Sequence, residues 1–255
     1  MSAMLDHVIA QVLALQVRLL GCQARLAADT DSEALHDLRT TTRRLRSLLR
    51  PLRELPGVEQ LEGAAKALGE LTTPLRDREV LAAQLLEREL FDAARQRLAG
   101  RRETFASVAE SAQLERLLAI VDAFPIFLRA AQREGLIRKL HQRIDKRLEK
   151  QWMQLREALD DPAHDRHRLR LLIKRVRYGA DAYPQLEHAG KRLQRALKRA
   201  QGDLGDWHDL HQWLLQAEQQ PDLAPCVEHW KAQWLIAEQR ADMTLERLQK
   251  ALAQR

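Results

Sequence analysis

The residues best able to do chemistry in this sequence are basic, and they recur at helical spacing. His36, Arg39, Arg43, Arg46 and Arg50 fall three and four positions apart, as do His167, Arg170, Lys174 and Arg177. Side chains at those intervals share one face of a helix. Each set therefore makes a straight cationic stripe about three turns long, roughly 15 Å at 1.5 Å per residue. Such like charges repel one another by roughly 0.2–0.5 kcal/mol per pair. Local neutralisation is scarce, because residues 36–53 hold six arginines and one acid, Asp37. A solvated structural helix intersperses acids, as Glu87, Arg88 and Glu89 do elsewhere in the chain. A face kept basic points to an anionic ligand. Guanidinium groups contact phosphate or carboxylate oxygens bidentately, and a histidine that gains a proton adds further donors. The competing structural reading is that carboxylates from other helices complete the ion pairs.

The two stripes belong to an internal repeat. Residues 35–46 laid over 166–177 put His36 on His167, Leu38 on Leu169, Arg39 on Arg170 and Arg43 on Lys174. Arg44, Leu45 and Arg46 then fall on Arg175, Val176 and Arg177. The offset of 131 residues is about half the chain of 255. At the same offset Arg25 meets Arg156; one residue later Lys66 meets Lys198 and Asp77 meets Asp209. The expectation is one domain over 1–255 built from two copies of a helical unit, about 1–130 and 131–255. A ligand that uses both ridges must be long, regular and highly anionic.

The elements that position these residues read as helices throughout. Periodicity of 3.6 runs through 4–28, 31–54, 58–71, 76–99, 103–133, 136–159, 163–185, 189–203, 206–219 and 224–253. Breaks are expected at Pro56-Gly57, Pro74, Gly100, Gly135, Asp161-Pro162, Gly190, Gly205 and Pro221. Asp31-Ser32 and Asp161-Pro162 are expected helix starts. No segment alternates with period two long enough for a strand, and glycine and proline are too scarce for an all-β chain. The fold class is all-α.

Charge and cysteine usage narrow the function classes. Residues 1–130 carry 18 basic and 18 acidic side chains, whereas 131–255 carry 24 and 18, so the net charge of +6 arises in the second half. Arginine outnumbers lysine 33 to 9, which favours bidentate anion contacts. Cys22 and Cys226 have no metal-ligand spacing, so they are expected to be reduced thiols in a cytoplasmic protein. Residues 8–20 are apolar but interrupted by Gln11, Gln16 and Arg18. They are expected to form a core helix rather than a membrane span or leader.

At these residues the sequence resembles the CHAD family, the conserved histidine α-helical domain. His-x-Leu-Arg-x-x-x-Arg-Arg-Leu-Arg at 36–46 and His-x-Leu-Arg-x-x-x-Lys-Arg-Val-Arg-Tyr at 167–178 are similar to its two signature helices. Residues 75–80 resemble its Arg-Asp-x-x-Val segment, and residues 201–209 its Gln-x-x-Leu-Gly-x-x-x-Asp segment. One departure is Leu71-Thr72-Thr73-Pro74, where the family has a Leu-Gly pair. The resemblance spans essentially the whole chain. It implies two pseudo-symmetric antiparallel helical bundles around a central basic channel that binds inorganic polyphosphate. Carried over to matched positions, the ligands are His36, Arg39, Arg43, Arg44, Arg46, His167, Arg170, Lys174, Arg175 and Arg177. Arg50 extends the first stripe, and the repeat adds Arg25, Arg156, Lys66 and Lys198. Asp77 and Asp209 are read as helix-end or ion-pair residues. A cytoplasmic protein near polyphosphate granules, with a polyphosphate-metabolising enzyme as partner, is the corresponding cellular expectation.

Two rival readings are set against this one. His36-Asp37 and His208-Asp209 spell the dipeptide of helical metal-dependent phosphohydrolases, and His208, His211 and Asp206 could share a metal. Arg39 and Arg43 beside Asp37 repel a cation, and no Gly-rich phosphate loop is present. Neither catalysis, a metal nor a cofactor is therefore expected. Nucleic acid is the other rival, since basic helices bind phosphate backbones without reading bases. The five tryptophans, at 152, 207, 213, 230 and 234, are expected to lie away from both stripes, which leaves no base-stacking platform.

Overall fold

The structure is a computed structural model that describes residues 3–161, 163, 165–187 and 189–253. All regular structure among them is helical, as expected: ten α-helices with short 3-10 turns between some of them. They are α1 (Ala3–Ala28), α2 (Ala34–Leu49), α3 (Val58–Leu86), α4 (Phe91–Leu98) and α5 (Arg101–Ala109). Then come α6 (Ala112–Arg133), α7 (Leu140–Asp160), α8 (Arg166–Ala182), α9 (Lys191–Ala217) and α10 (Val227–Leu252). The chain divides into two compact units, Met1–Ile144 and Asp145–Arg255, so the division falls within α7.

In the first unit α1 packs against α2, α5 and α6, while α3 packs against α2, α4 and α6. The apolar positions of α2 explain its seat: Leu35, Leu38, Leu45 and Leu49 are fully buried and leave the basic positions on the opposite side. Each such leucine contributes about 1.5–3 kcal/mol by leaving water. In the second unit Trp152 and Leu155 of α7, Leu169 and Ile173 of α8, Leu197 of α9 and Leu245 of α10 meet in one core. Gly179 lets α8 approach α7 closely, because a Cβ there would lie 3.0 Å from Leu148 Cδ2.

Several helix boundaries differ from the periodicity reading. The break expected at Pro74 is absent, and α3 runs straight through it. Proline removes the donor that Glu70's carbonyl would use. Nearby, Thr72 and Thr73 donate to the Leu68 and Gly69 carbonyls at 2.8 and 2.7 Å, and Arg39 of α2 braces the same turn. The break expected at Gly205 is absent too. Arg240 of α10 reaches Asp206 at 2.5 Å and Thr244 donates to Asp203 at 2.6 Å, so contacts with α10 hold α9 continuous. Conversely, the helix expected over 103–133 is split. Ser111 caps α6 by accepting from the Leu114 N–H at 3.3 Å. Pro162, part of an expected helix start, lies outside the described residues, and α8 begins instead with Asp165 accepting from the His167 N–H at 2.8 Å.

Cys22 and Cys226 are both buried free thiols. At 26 residues, with a mean hydropathy of 1.4 over its most apolar window, α1 is long and apolar enough to cross a membrane by length and composition. Val8, Val12 and Leu19 of the same helix are nevertheless fully buried in the core of the first unit, as expected of a core helix.

Candidate functional site

In the first unit α2 places its basic residues on the side away from its leucines. Arg43 and Arg44 are exposed, while His36, Arg39, Arg46 and Arg50 are half-buried. Arg39 is the most engaged of them. Its Nη1 donates to the Gly69 carbonyl at 3.2 Å and to Thr72 Oγ1 and Thr73 Oγ1 at 3.0 Å each. Burial holds its guanidinium below the ordinary arginine range; the nearby Asp77 charge opposes that shift, and Arg43 and Arg76 reinforce it. Arg43 Nη2 donates to Thr40 Oγ1 at 3.2 Å, and that hydroxyl lies 3.5 Å from His36 Nε2. Arg46 Nε is buried without a hydrogen-bond partner.

In the second unit α8 repeats the pattern against α9. His167 and Arg175 are exposed, and Arg170, Lys174 and Arg177 are half-buried. Burial again holds Arg170 below the ordinary arginine range, opposed by Asp209, whose Oδ1 lies 3.9 Å from its Nη2. In both units an aspartate at the matching repeat position acts on the buried arginine, Asp77 on Arg39 and Asp209 on Arg170.

Four of the expected ligands sit elsewhere in these units. Arg25 forms a fork with Asp31, from Nε at 2.8 Å and Nη2 at 2.6 Å, and reaches Asp37 from Nη1 at 2.7 Å. These bonds push the guanidinium up and hold Asp31 well below the usual carboxylate range. Arg25 is thereby committed to tying α1 to the start of α2. Arg156 donates to the Leu252 carbonyl at 3.2 Å, at the end of α10. Lys66 is exposed on α3, 3.5 Å from Glu70, and Lys198 is exposed on α9.

His208 is a residue that sequence reasoning passed over as a ligand for anions. Its ring centroid lies 5.5 Å from that of His167. Its imidazole is pulled down to about 4, first by burial and then by the positive charges of Arg170, His167, Lys174 and His211. The 132-residue offset that pairs Asp77 with Asp209 also sets His208 over Arg76, a basic residue in both copies; that signal was available. Trp207 packs beside Arg166, the residue before the first member of the second stripe. Arg166 stands 5.8 Å over its ring, and the ring stacks on His211 at 6.1 Å.

No group of three or more His, Cys, Asp or Glu among the described residues could hold a metal ion. Both aspartates of the His-Asp dipeptides face guanidiniums, Asp37 that of Arg25 and Asp209 that of Arg170.

Among the described residues the chain is all-α, with a histidine-led basic row on α2 and another on α8. The family model for the CHAD domain matches residues 10–218, and the chain belongs to the CHAD family, which is associated with polyphosphate binding. A crystal structure of the CHAD domain from the plant Ricinus communis is similar over 99% of this chain and 92% of that one, with a TM-score of 0.75. The two are 23% identical, so this likeness bears on the fold. No curated protein matches the sequence significantly.

Proposed function

We propose that this chain binds inorganic polyphosphate without transforming it, through the basic faces of α2 and α8 acting on the same anionic polymer. The observation that carries the reading is the repeated placement of a desolvated arginine within each face. Arg39 and Arg170 are both held below the ordinary arginine range by burial, with exposed Arg43, Arg44 and Arg175 beside them. A guanidinium stripped of water gains more from a phosphate oxygen than a solvated one does, because the anion replaces hydration already lost. The depressed His208 imidazole supports the same reading in the second unit, since Arg170, His167 and Lys174 all contribute to it. His36, Arg46, Arg50, Lys174 and Arg177 complete the proposed contacts. Arg25 ties helices within the first unit and Arg156 within the second, and Lys66 and Lys198 add long-range charge. Cytoplasmic residence near polyphosphate deposits, and a polyphosphate-metabolising enzyme as partner, extend the same proposal to the cell.

Nucleic acid is the reading to be separated experimentally, because an aromatic ring, that of Trp207, lies beneath Arg166 at the start of α8. Long-chain polyphosphate and single-stranded DNA compete at equal phosphate concentration for the full-length chain. Polyphosphate is expected to bind and to resist displacement. Displacement of polyphosphate by the DNA overturns the assignment.

A further inference from the structure

The second unit holds a histidine cluster that the stripe alone does not require. His208 and His211 project from α9 and His167 from α8; Trp207 lies beside both His208 and His211, and His211 meets Trp234 of α10. The α8 groups facing His208 are Arg170, Lys174 and His167, and on α9 itself His211. The carboxylates that α10 brings to this side, Glu238 and Asp242, are held by Arg166 at 3.2 and 2.7 Å. Arg240 of α10 is held by Asp203 and Asp206 of α9 at 3.7 and 2.5 Å. Of these groups, Arg170 lies 3.9 Å from Asp209 Oδ1. An imidazole set among cations has every reason to stay neutral until an anion arrives.

We propose that His208 is a further ligand of the bound polyanion in the second unit, and that binding there draws a proton from solvent onto its imidazole. This rests on the polyphosphate reading and adds to it a residue and a pH dependence. In the empty protein burial and four neighbouring basic groups keep His208 neutral down to about pH 4. A phosphate chain laid along Arg170 and Lys174 reverses the sign of the local potential. The neutral ring then accepts a proton and gains a second N–H donor for a phosphate oxygen. The first unit has Arg76, permanently charged, at the corresponding position of the repeat. At this position of the repeat, proton uptake is therefore confined to the second face.

The test is calorimetric titration of the full chain with long-chain polyphosphate near pH 6, in buffers of different ionisation enthalpy. Net proton uptake approaching one per site is expected, with affinity falling up to about tenfold for each unit rise in pH. His208→Gln should remove most of that uptake, while His229→Gln, on an exposed part of α10, should leave it unchanged. Binding without buffer dependence, or uptake that survives in His208→Gln, overturns the proposal. Complete absence of binding refutes the polyphosphate reading itself, a separate outcome. Should His208→Gln fail to fold, the wild-type imidazole resonances decide. The midpoint of His208 should climb when polyphosphate is added, and a midpoint that stays put overturns the proposal.

Discussion

Replacing His208 with glutamine should make the second unit less sensitive to acid, and the size of the effect follows from the site. An unfolded histidine takes up its proton near 6.5, whereas the folded protein holds His208 neutral to about 4. Between those two values the unfolded chain binds more protons than the folded one, so stability falls as pH falls. The contribution is fully present above about pH 6.5 and is lost by about pH 4. At about 1.4 kcal/mol for each pH unit the gap amounts to roughly 3 kcal/mol, which solvent screening of a half-buried ring reduces to about 2 kcal/mol. Glutamine cannot titrate, so the wild type should lose about 2 kcal/mol more than His208→Gln between pH 7 and pH 4. Urea unfolding followed by tryptophan fluorescence isolates the relevant unit, because all five tryptophans lie between positions 152 and 234. Parallel stability curves for the two proteins across that pH range refute the argument that burial and cationic neighbours suppress this proton.

Arg39→Met should destabilise the first unit by about 1.5–3 kcal/mol, since it removes charge-assisted bonds to the Gly69 carbonyl and two threonines at the Pro74 turn. Urea unfolding read by helical circular dichroism measures it, and an unchanged midpoint dismisses the brace. Gly57→Ala should cost about 1–3 kcal/mol, because φ is +76° and a Cβ would lie 2.6 Å from Phe127 Cε1; wild-type stability would show that the contact relaxes freely. Long-chain polyphosphate at a hundredfold excess over Kd should raise stability by about 2.7 kcal/mol. Orthophosphate at equal phosphorus should do much less, and equal thermal shifts would mean isolated phosphate sites.

The all-α class and the two basic faces were legible because each rests on periodicity, which survives without knowledge of partners. Leu35, Leu38, Leu45 and Leu49 fix which side of α2 is buried, and so which side carries Arg43 and Arg46. The errors came where a distant residue outvotes a local signal. Pro74 and Gly205 read as breaks, yet α3 and α9 run through them beside contacts from Arg39 of α2 and from Arg240 and Thr244 of α10. Arg25 read as one more basic repeat position, and only the fold brings Asp31 and Asp37 onto its guanidinium. Trp207 and His208 lie 30 to 41 positions from the members of the second stripe in sequence, and packing of α9 on α8 sets His208 beside His167.

The central claim is that particular basic residues, rather than net charge, bind the polyanion. Arg43→Glu combined with Lys174→Glu tests it against Arg95→Glu combined with Arg102→Glu, which changes net charge equally at exposed positions outside the repeated faces. Arg95 is a suitable control, with 80% of its side chain exposed. Long-range fields are screened over about 8–10 Å near physiological salt, so the control pair should alter affinity little. Polyphosphate affinity is measured at about 50 and 200 mM salt for variants that keep wild-type helicity and cooperative unfolding. The account predicts that the first pair abolishes binding while the second retains it with the steep salt dependence of the wild type. Similar affinities for the two folded double variants would contradict it.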